Sequence, residues 1–226
     1  MSLTLAFDVY GTLINTHGVT EMLEEFIGDQ AVLFSSRWRE KQLEYSFRRG
    51  LMGQYADFSV CTRDALDYTS AGMEHPLTDT EKEMLLNSYR YLPAFPDTRD
   101  ALKTLKEAGH RLFAFSNGLP ADLAVLLANA GIDSYFQEII SVHEVQSFKP
   151  DPRVYQHFLA RSGGVPAESW LISSNPFDVI GALACSMKAA WVQRSSDHHF
   201  DPWGIQPTTR VASLQMLFSA LKEPAA

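Results

Sequence analysis

Phe7-Asp8-Val9-Tyr10-Gly11-Thr12 places an acid where the first apolar run, Leu3 to Phe7, stops and a Gly-Thr turn begins. Such a run suits a buried strand, and open α/β sheets bind ligands beyond the carboxyl ends of their strands. A carboxylate there can attack an electrophilic carbon or phosphorus and form an ester; a turn-forming Asp accounts for the same residues. Ser116-Asn117-Gly118 ends a second run, Leu112 to Phe115. It reads as a strand-to-helix turn, or as hydroxyl and amide donors at the same sheet edge as Asp8. Lys149 precedes Pro150, which holds it extended, so it is either an aimed cation or a solvated loop residue. Ser173-Ser174-Asn175-Pro176-Phe177-Asp178 reads locally as a helix start, with Asn175 as cap, Pro176 first and Asp178 as the capping-box acid. Arg39 shares a helix face with Leu43, Phe47 and Leu51; a cation heading an apolar stripe either snorkels at its edge or needs an anionic ligand.

These residues require a sheet to gather them. Five apolar runs read as buried parallel strands: Leu3–Asp8, Arg111–Ser116, Glu138–Val142, Trp170–Ser174 and Ala189–Gln193. Helical patterns separate the last four, over Pro120–Asn129, Pro152–Arg161 and Pro176–Ser186, and Thr98–Ala108 precedes the second; Asp151 and Pro152 mark one start and Gly109 one stop. The alternation predicts a doubly wound α/β fold with a parallel sheet. Between Asn15 and Pro93 the pattern is helical throughout, about Val19–Ile27, Val32–Met52, Phe58–Ala71 and Thr80–Tyr91, which suggests an inserted cap. Ser195–Arg210 reads as loop, Val211–Leu221 as a last helix, and Glu223–Ala226 as a frayed end.

Asp8-Val9-Tyr10-Gly11-Thr12 resembles the first motif of the haloacid dehalogenase-like hydrolases. Most members are magnesium phosphatases with a second Asp, a general acid, where this chain has Tyr10. A phenol is a poor acid for a phosphate leaving group, whereas halide leaves without a proton. The phosphatases also carry a Gly-Asp metal-binding pair where this chain has Ser173-Ser174. The segment instead is similar to the Ser-Ser-Asn-x-(aromatic)-Asp pattern of the L-2-haloacid dehalogenases, with Phe177 where Trp is frequent, and Trp38-Arg39-Glu40-Lys41-Gln42-Leu43-Glu44-Tyr45 resembles their cap helix.

The resemblance covers Leu5 to about Leu217 and implies a Rossmann-like core, residues 1–14 and 93–226, with a helical cap subdomain, residues 15–92. It implies hydrolysis of (S)-2-haloacids to (R)-2-hydroxyacids through an ester of Asp8, without metal or organic cofactor. Thr12 and Lys149 would orient and charge-balance Asp8. Arg39, Asn117 and Phe177 would take the halide. Ser116 and amides near Val9, Tyr10 or Leu119 would hold the substrate carboxylate. Leu43, Phe58 and Tyr155 would complete the pocket, and Asp178 with Ser173 and Asn175 would activate water. The alternatives are a magnesium phosphatase and a catalytically idle protein that binds small anions. Family members often form homodimers.

The 226 residues, 46% hydrophobic and 20% charged, suffice for one domain or a core with an insertion. A net charge of -8 argues against a nucleic-acid partner. No apolar run is long enough for a membrane span, and the N-terminus does not read as a signal peptide. Cys61 and Cys185 make no disulfide framework and read as buried small residues, so a cytoplasmic enzyme is expected. The histidines form no trusted ligand spacing and read as surface residues, and Trp191 and Trp203 as packing.

Overall fold

The computed structural model describes residues 2–74 and 76–222, so the expected fray at Glu223–Ala226 and the surface reading of His75 lie outside the described residues. Six strands form one all-parallel sheet: β1 (Thr4–Phe7), β2 (Arg111–Ser116), β3 (Glu138–Ser141), β4 (Ser169–Ser173), β5 (Lys188–Val192) and β6 (Thr209–Val211). Their order is β3-β2-β1-β4-β5-β6. This is the expected doubly wound α/β fold. The central strand β1 is buried throughout, and its side chains alternate between two apolar layers. Leu5 and Phe7 join one layer, while Ala6 joins the other with Phe113, Phe115 and Leu171. The chain runs outward from β1 in one direction through β2 and β3, then returns to the other side with β4. The switch point therefore lies at the carboxyl end of β1, where Asp8 begins the loop.

Between β1 and β2 the chain forms α1 (His17–Ile27), α2 (Ala31–Met52), α3 (Phe58–Ala71) and α4 (Asp79–Ser88) before α5 (Thr98–Glu107) returns it to the sheet. The first four form an insert whose two linkers run side by side. Asn15 N–H donates to Pro93 O at 2.8 Å, and Phe95 N–H to Leu13 O at 2.9 Å. The insert buries Leu23, Phe34, Trp38 and Leu66 in the same apolar layer as Leu5 and Phe7. The buried stripe of α2 is Ala31, Phe34, Trp38, Gln42 and Ser46. The expected stripe through Arg39 fails at its far end, since Leu51 is 90% exposed. Among the described residues no helix is long and apolar enough to cross a membrane.

Helices α6 (Pro120–Asn129), α7 (Pro152–Ser162) and α8 (Pro176–Ala184) follow β2, β3 and β4. Each opens with proline, whose fixed φ and missing N–H suit the first turn. The C-terminal end departs from expectation. Thr209–Val211 forms β6 beside β5 instead of loop, and the last helix shrinks to a 3-10 turn at Leu214–Met216 and α9 (Leu217–Ala220). Three residues with only Val211 buried give no periodic signal, and the Leu214 N–H is held by Asp97 Oδ2 at 2.8 Å. Two minor expectations also change: Trp203 is largely exposed, and Cys185 is only partly buried.

Gly181 in α8 lets α7 approach closely. A Cβ there would stand 2.7 Å from Tyr155 Cζ and 2.8 Å from Pro150 Cβ. Gly181→Ala is expected to lower stability by about 1–3 kcal/mol through overpacking, read as a lower denaturation midpoint. An unchanged midpoint would show that Tyr155 is not locked in place.

Candidate functional site

The loop after β1 is wound tightly around one carbonyl. The N–H groups of Thr12, Leu13 and Ile14 all donate to Val9 O, and Gly11 takes φ +79°, which suits a residue without Cβ. This winding returns the Thr12 hydroxyl to Asp8, where it donates to Oδ2 at 2.8 Å. The Asn175 amide donates to the same oxygen at 2.9 Å, and the Lys149 ammonium to Oδ1 at 3.2 Å. Asp8 is 7% exposed. Three donors from three separate segments thus hold one nearly buried carboxylate.

Lys149 is 2% exposed and uses all three of its protons. They go to Asp8 Oδ1, to Phe115 O at 2.9 Å and to Asp178 Oδ2 at 2.8 Å. Its backbone N–H donates to Asn117 Oδ1 at 3.0 Å, which fixes the Asn117 side chain in turn. Asp178 is fully buried and is no capping acid: its other oxygen accepts from the Tyr155 hydroxyl at 2.7 Å. Burial pushes the Asp178 carboxyl above its ordinary value; the Lys149 ammonium opposes this most strongly, and the Asp8 carboxylate adds to it. Asn175 likewise makes no side-chain cap, because its amide is spent on Asp8. The helix-start reading was sufficient locally, but the sheet turns both side chains to a different use.

A small cavity opens in front of Asp8, offering about 20 Å³ to the centre of a water molecule. Tyr10, Arg39, Leu43, Phe58, Ser116, Asn117, Lys149, Asn175 and Phe177 line it with Asp8. Thr12 and Ser173 support this wall from behind, Ser173 by accepting the Asn175 N–H at 3.1 Å. Val9 packs its side chain in the core and Leu119 borders a neighbouring cleft. Tyr155 does not reach the cavity; it is buried beside Asp178 and acts as that acid's partner. The Ser116 hydroxyl accepts from Gly118 N–H at 3.2 Å and keeps its proton to give. The backbone amides of Val9, Tyr10 and Leu119 find no acceptor among the described residues.

Arg39 reaches the cavity from the insert. It makes no ion pair among the described residues; its one hydrogen bond is a long one, Nη1 to Gln42 Oε1 at 3.4 Å. Burial pulls its pKa down, yet a guanidinium retains its charge. Phe47 of α2 meets Phe177 edge to face at 5.3 Å, closing the insert onto the core. Burial raises the Tyr10 hydroxyl well above its ordinary value, so it stays protonated.

Three residues beside the site have a role that the sequence did not assign them, although Ser174 and Gln42 stand inside the motifs quoted above. Ser174 ties the end of β4 to the loop after β1: its N–H donates to Thr12 Oγ1 at 2.9 Å and its hydroxyl to Gly11 O at 2.9 Å. Gln42 was detectable as a polar residue at the helical spacing of Phe34, Trp38 and Ser46. Tyr89 carried no signal, since it follows the end of α4 and meets Gln42 only through the fold.

Lys149→Met should destabilise the protein by about 3–5 kcal/mol, because two buried carboxylates lose their cation. Adding Asp178→Asn should recover part of that loss in urea unfolding; strictly additive losses would contradict the coupling.

Residues 3–185 match the haloacid dehalogenase-like hydrolase family. The chain is 37% identical over 211 residues to an (S)-2-haloacid dehalogenase of Pseudomonas putida, covering 93% of this chain and 92% of that one. It is 37% identical over 204 residues to haloacetate dehalogenase H-2 of Moraxella sp. (strain B), covering 90% of each. Among solved structures, an L-2-haloacid dehalogenase from Xanthobacter autotrophicus with chloropropionic acid covalently bound superposes with a TM-score of 0.92. It is 31% identical over the whole of both chains.

Proposed function

The chain belongs to the haloacid dehalogenase-like hydrolase family, and from that premise we propose that it hydrolyses (S)-2-haloacids to (R)-2-hydroxyacids through a covalent ester of Asp8. The observation that carries this reading is the pairing across one small cavity. On one wall is a carboxylate held only by hydrogen-bond donors, and on another is a guanidinium with no carboxylate partner among the described residues.

In the first step an Asp8 oxygen attacks C2 from behind the carbon–halogen bond. That bond breaks with its electron pair on the halide, which Arg39 receives between Asn117 and Phe177. The substrate carboxylate is held by the Ser116 hydroxyl and the free amides of Val9, Tyr10 or Leu119. In the second step water adds to the Asp8 carbonyl carbon. The Thr12, Asn175 and Lys149 donors already aimed at its oxygens stabilise the charge that forms. The proton lost by water passes to Asp178, which returns it to the ester oxygen as the adduct collapses; the hydroxyacid leaves, and the proton that remains on Asp8 is lost to solvent, restoring the carboxylate. C2 is attacked once, so its configuration inverts. The S preference rests on the likeness to the relatives described above.

The donor set around Asp8 favours this chemistry over magnesium-dependent phosphate transfer. Magnesium needs converging oxygen ligands, and here an ammonium, an amide N–H and a hydroxyl converge on Asp8 instead. Tyr10, kept protonated by burial, suits a leaving group that needs no acid.

Halide release from (S)-2-chloropropionate with EDTA present, followed by chiral analysis, tests the reading. Wild type is expected to yield chloride and (R)-lactate, and Asp8→Asn to fall to the background reaction. Activity only with magnesium and a phosphate ester, or full dehalogenation by Asp8→Asn, would contradict it.

A further inference from the structure

Gln42 is polar yet only 1% exposed, in the middle of the buried stripe of α2. Its amide lies between two partners. Arg39 Nη1 donates to Oε1 at 3.4 Å, and Nε2 donates to the Tyr89 hydroxyl oxygen at 3.1 Å. The orientation follows from chemistry, because the carbonyl must face the cation and the NH₂ the phenol. Tyr89 is itself confined. Its ring meets Tyr10 edge to face at 5.9 Å and Trp38 at 5.6 Å, and Trp38 donates from Nε1 to Thr62 O at 2.9 Å. Burial raises the Tyr89 hydroxyl above its ordinary value, with Gln42 and Arg39 opposing, so it remains a neutral acceptor.

A guanidinium partly withdrawn from water, as Arg39 is, most often meets a carboxylate. Arg39 meets a neutral amide instead, braced through a phenol against the aromatic cluster. We propose that Gln42 and Tyr89 are positioning residues for the leaving-group step: they hold Arg39 toward the cavity through a neutral acceptor, so that its full charge is available to the departing halide. This rests on the assignment of Arg39 to the halide. As the carbon–halogen bond breaks, negative charge grows on the halogen, and only an unneutralised cation counters it fully. A carboxylate at position 42 would orient Arg39 equally well while quenching its charge. The amide separates the two effects.

Rapid-quench single turnovers with (S)-2-chloro- and (S)-2-bromopropionate resolve halide release from ester hydrolysis. Gln42→Met is expected to slow release of chloride by about tenfold, the loss expected for one hydrogen bond to a charged group, and Tyr89→Phe, which removes a bond between neutral groups, by about fivefold. Bromide release should slow less, since bromide leaves more readily. Hydrolysis of the accumulated ester should stay within about twofold of wild type, far from the tenfold worth one such bond. Gln42→Glu, nearest in shape, should be slower than Gln42→Met at neutral pH and recover on acidification as the introduced carboxyl takes up a proton.

An unchanged chloride-to-bromide ratio in the Gln42 and Tyr89 variants, or equal slowing of both steps, would overturn the proposal in favour of a purely structural role. If Arg39→Met alters that ratio while the Gln42 and Tyr89 variants do not, only this proposal fails. If wild type releases no halide, the assignment of the site fails with it.

Discussion

Lys149 holds the site together. A fully buried ammonium is costly unless every proton is matched, and here each finds an oxygen: one on Asp8, one on Asp178 and one on the Phe115 carbonyl. Those acceptors follow β1, open α8 and belong to β2, so one side chain ties together three neighbouring strand ends. The arrangement also explains why two acids can share a buried space. In the proposed reaction the cation between them pairs with both, Asp8 as the nucleophile and Asp178, its carboxyl pushed up by burial, as the proton acceptor.

The two halves of the proposed reaction are carried by different parts of the chain. The groups that fix and later hydrolyse the Asp8 ester stand on the sheet edge, where adjacent parallel strands hold them to short distances. The cation for the leaving halide comes from α2, in the helical insert, and reaches the site only because the insert packs Trp38 and Phe34 against the core layer and Phe47 against Phe177. The cavity between insert and core offers little more than the room for one water. The paired linkers at 13–15 and 93–95 are the only covalent route between them.

Much of this was legible in the residue order. Apolar runs that stop at Asp8, Ser116 and Ser174 located three strand ends to within one residue, and the parallel order brings those ends together. The helices of the insert followed from periodicity, with Phe58–Ala71 matching α3 to the residue. Other features were hidden for physical reasons. Asn175 and Asp178 satisfy every local rule for a helix start, so nothing nearby showed that their side chains turn inward to Asp8 and Lys149. Tyr155 looked like a pocket residue, but its hydroxyl is taken by Asp178 beneath the cavity floor. β6 is too short to show a period, and its pairing with β5 depends on a loop that brings Val211 beside Val192. The Gln42–Tyr89 contact joins residues 47 positions apart and exists only once the insert is folded.

The covalent ester is the centre of this account, and isotope placement tests it most directly. A single turnover of (S)-2-chloropropionate by excess enzyme in heavy-oxygen water, with chelator present, is followed by mass analysis of the peptides and of the lactate. The heavy isotope is expected in the peptide that contains Asp8, with unlabelled lactate from the first turnover. Label in lactate alone would mean that water attacks C2 directly and that Asp8 acts as a base, which would contradict the ester mechanism.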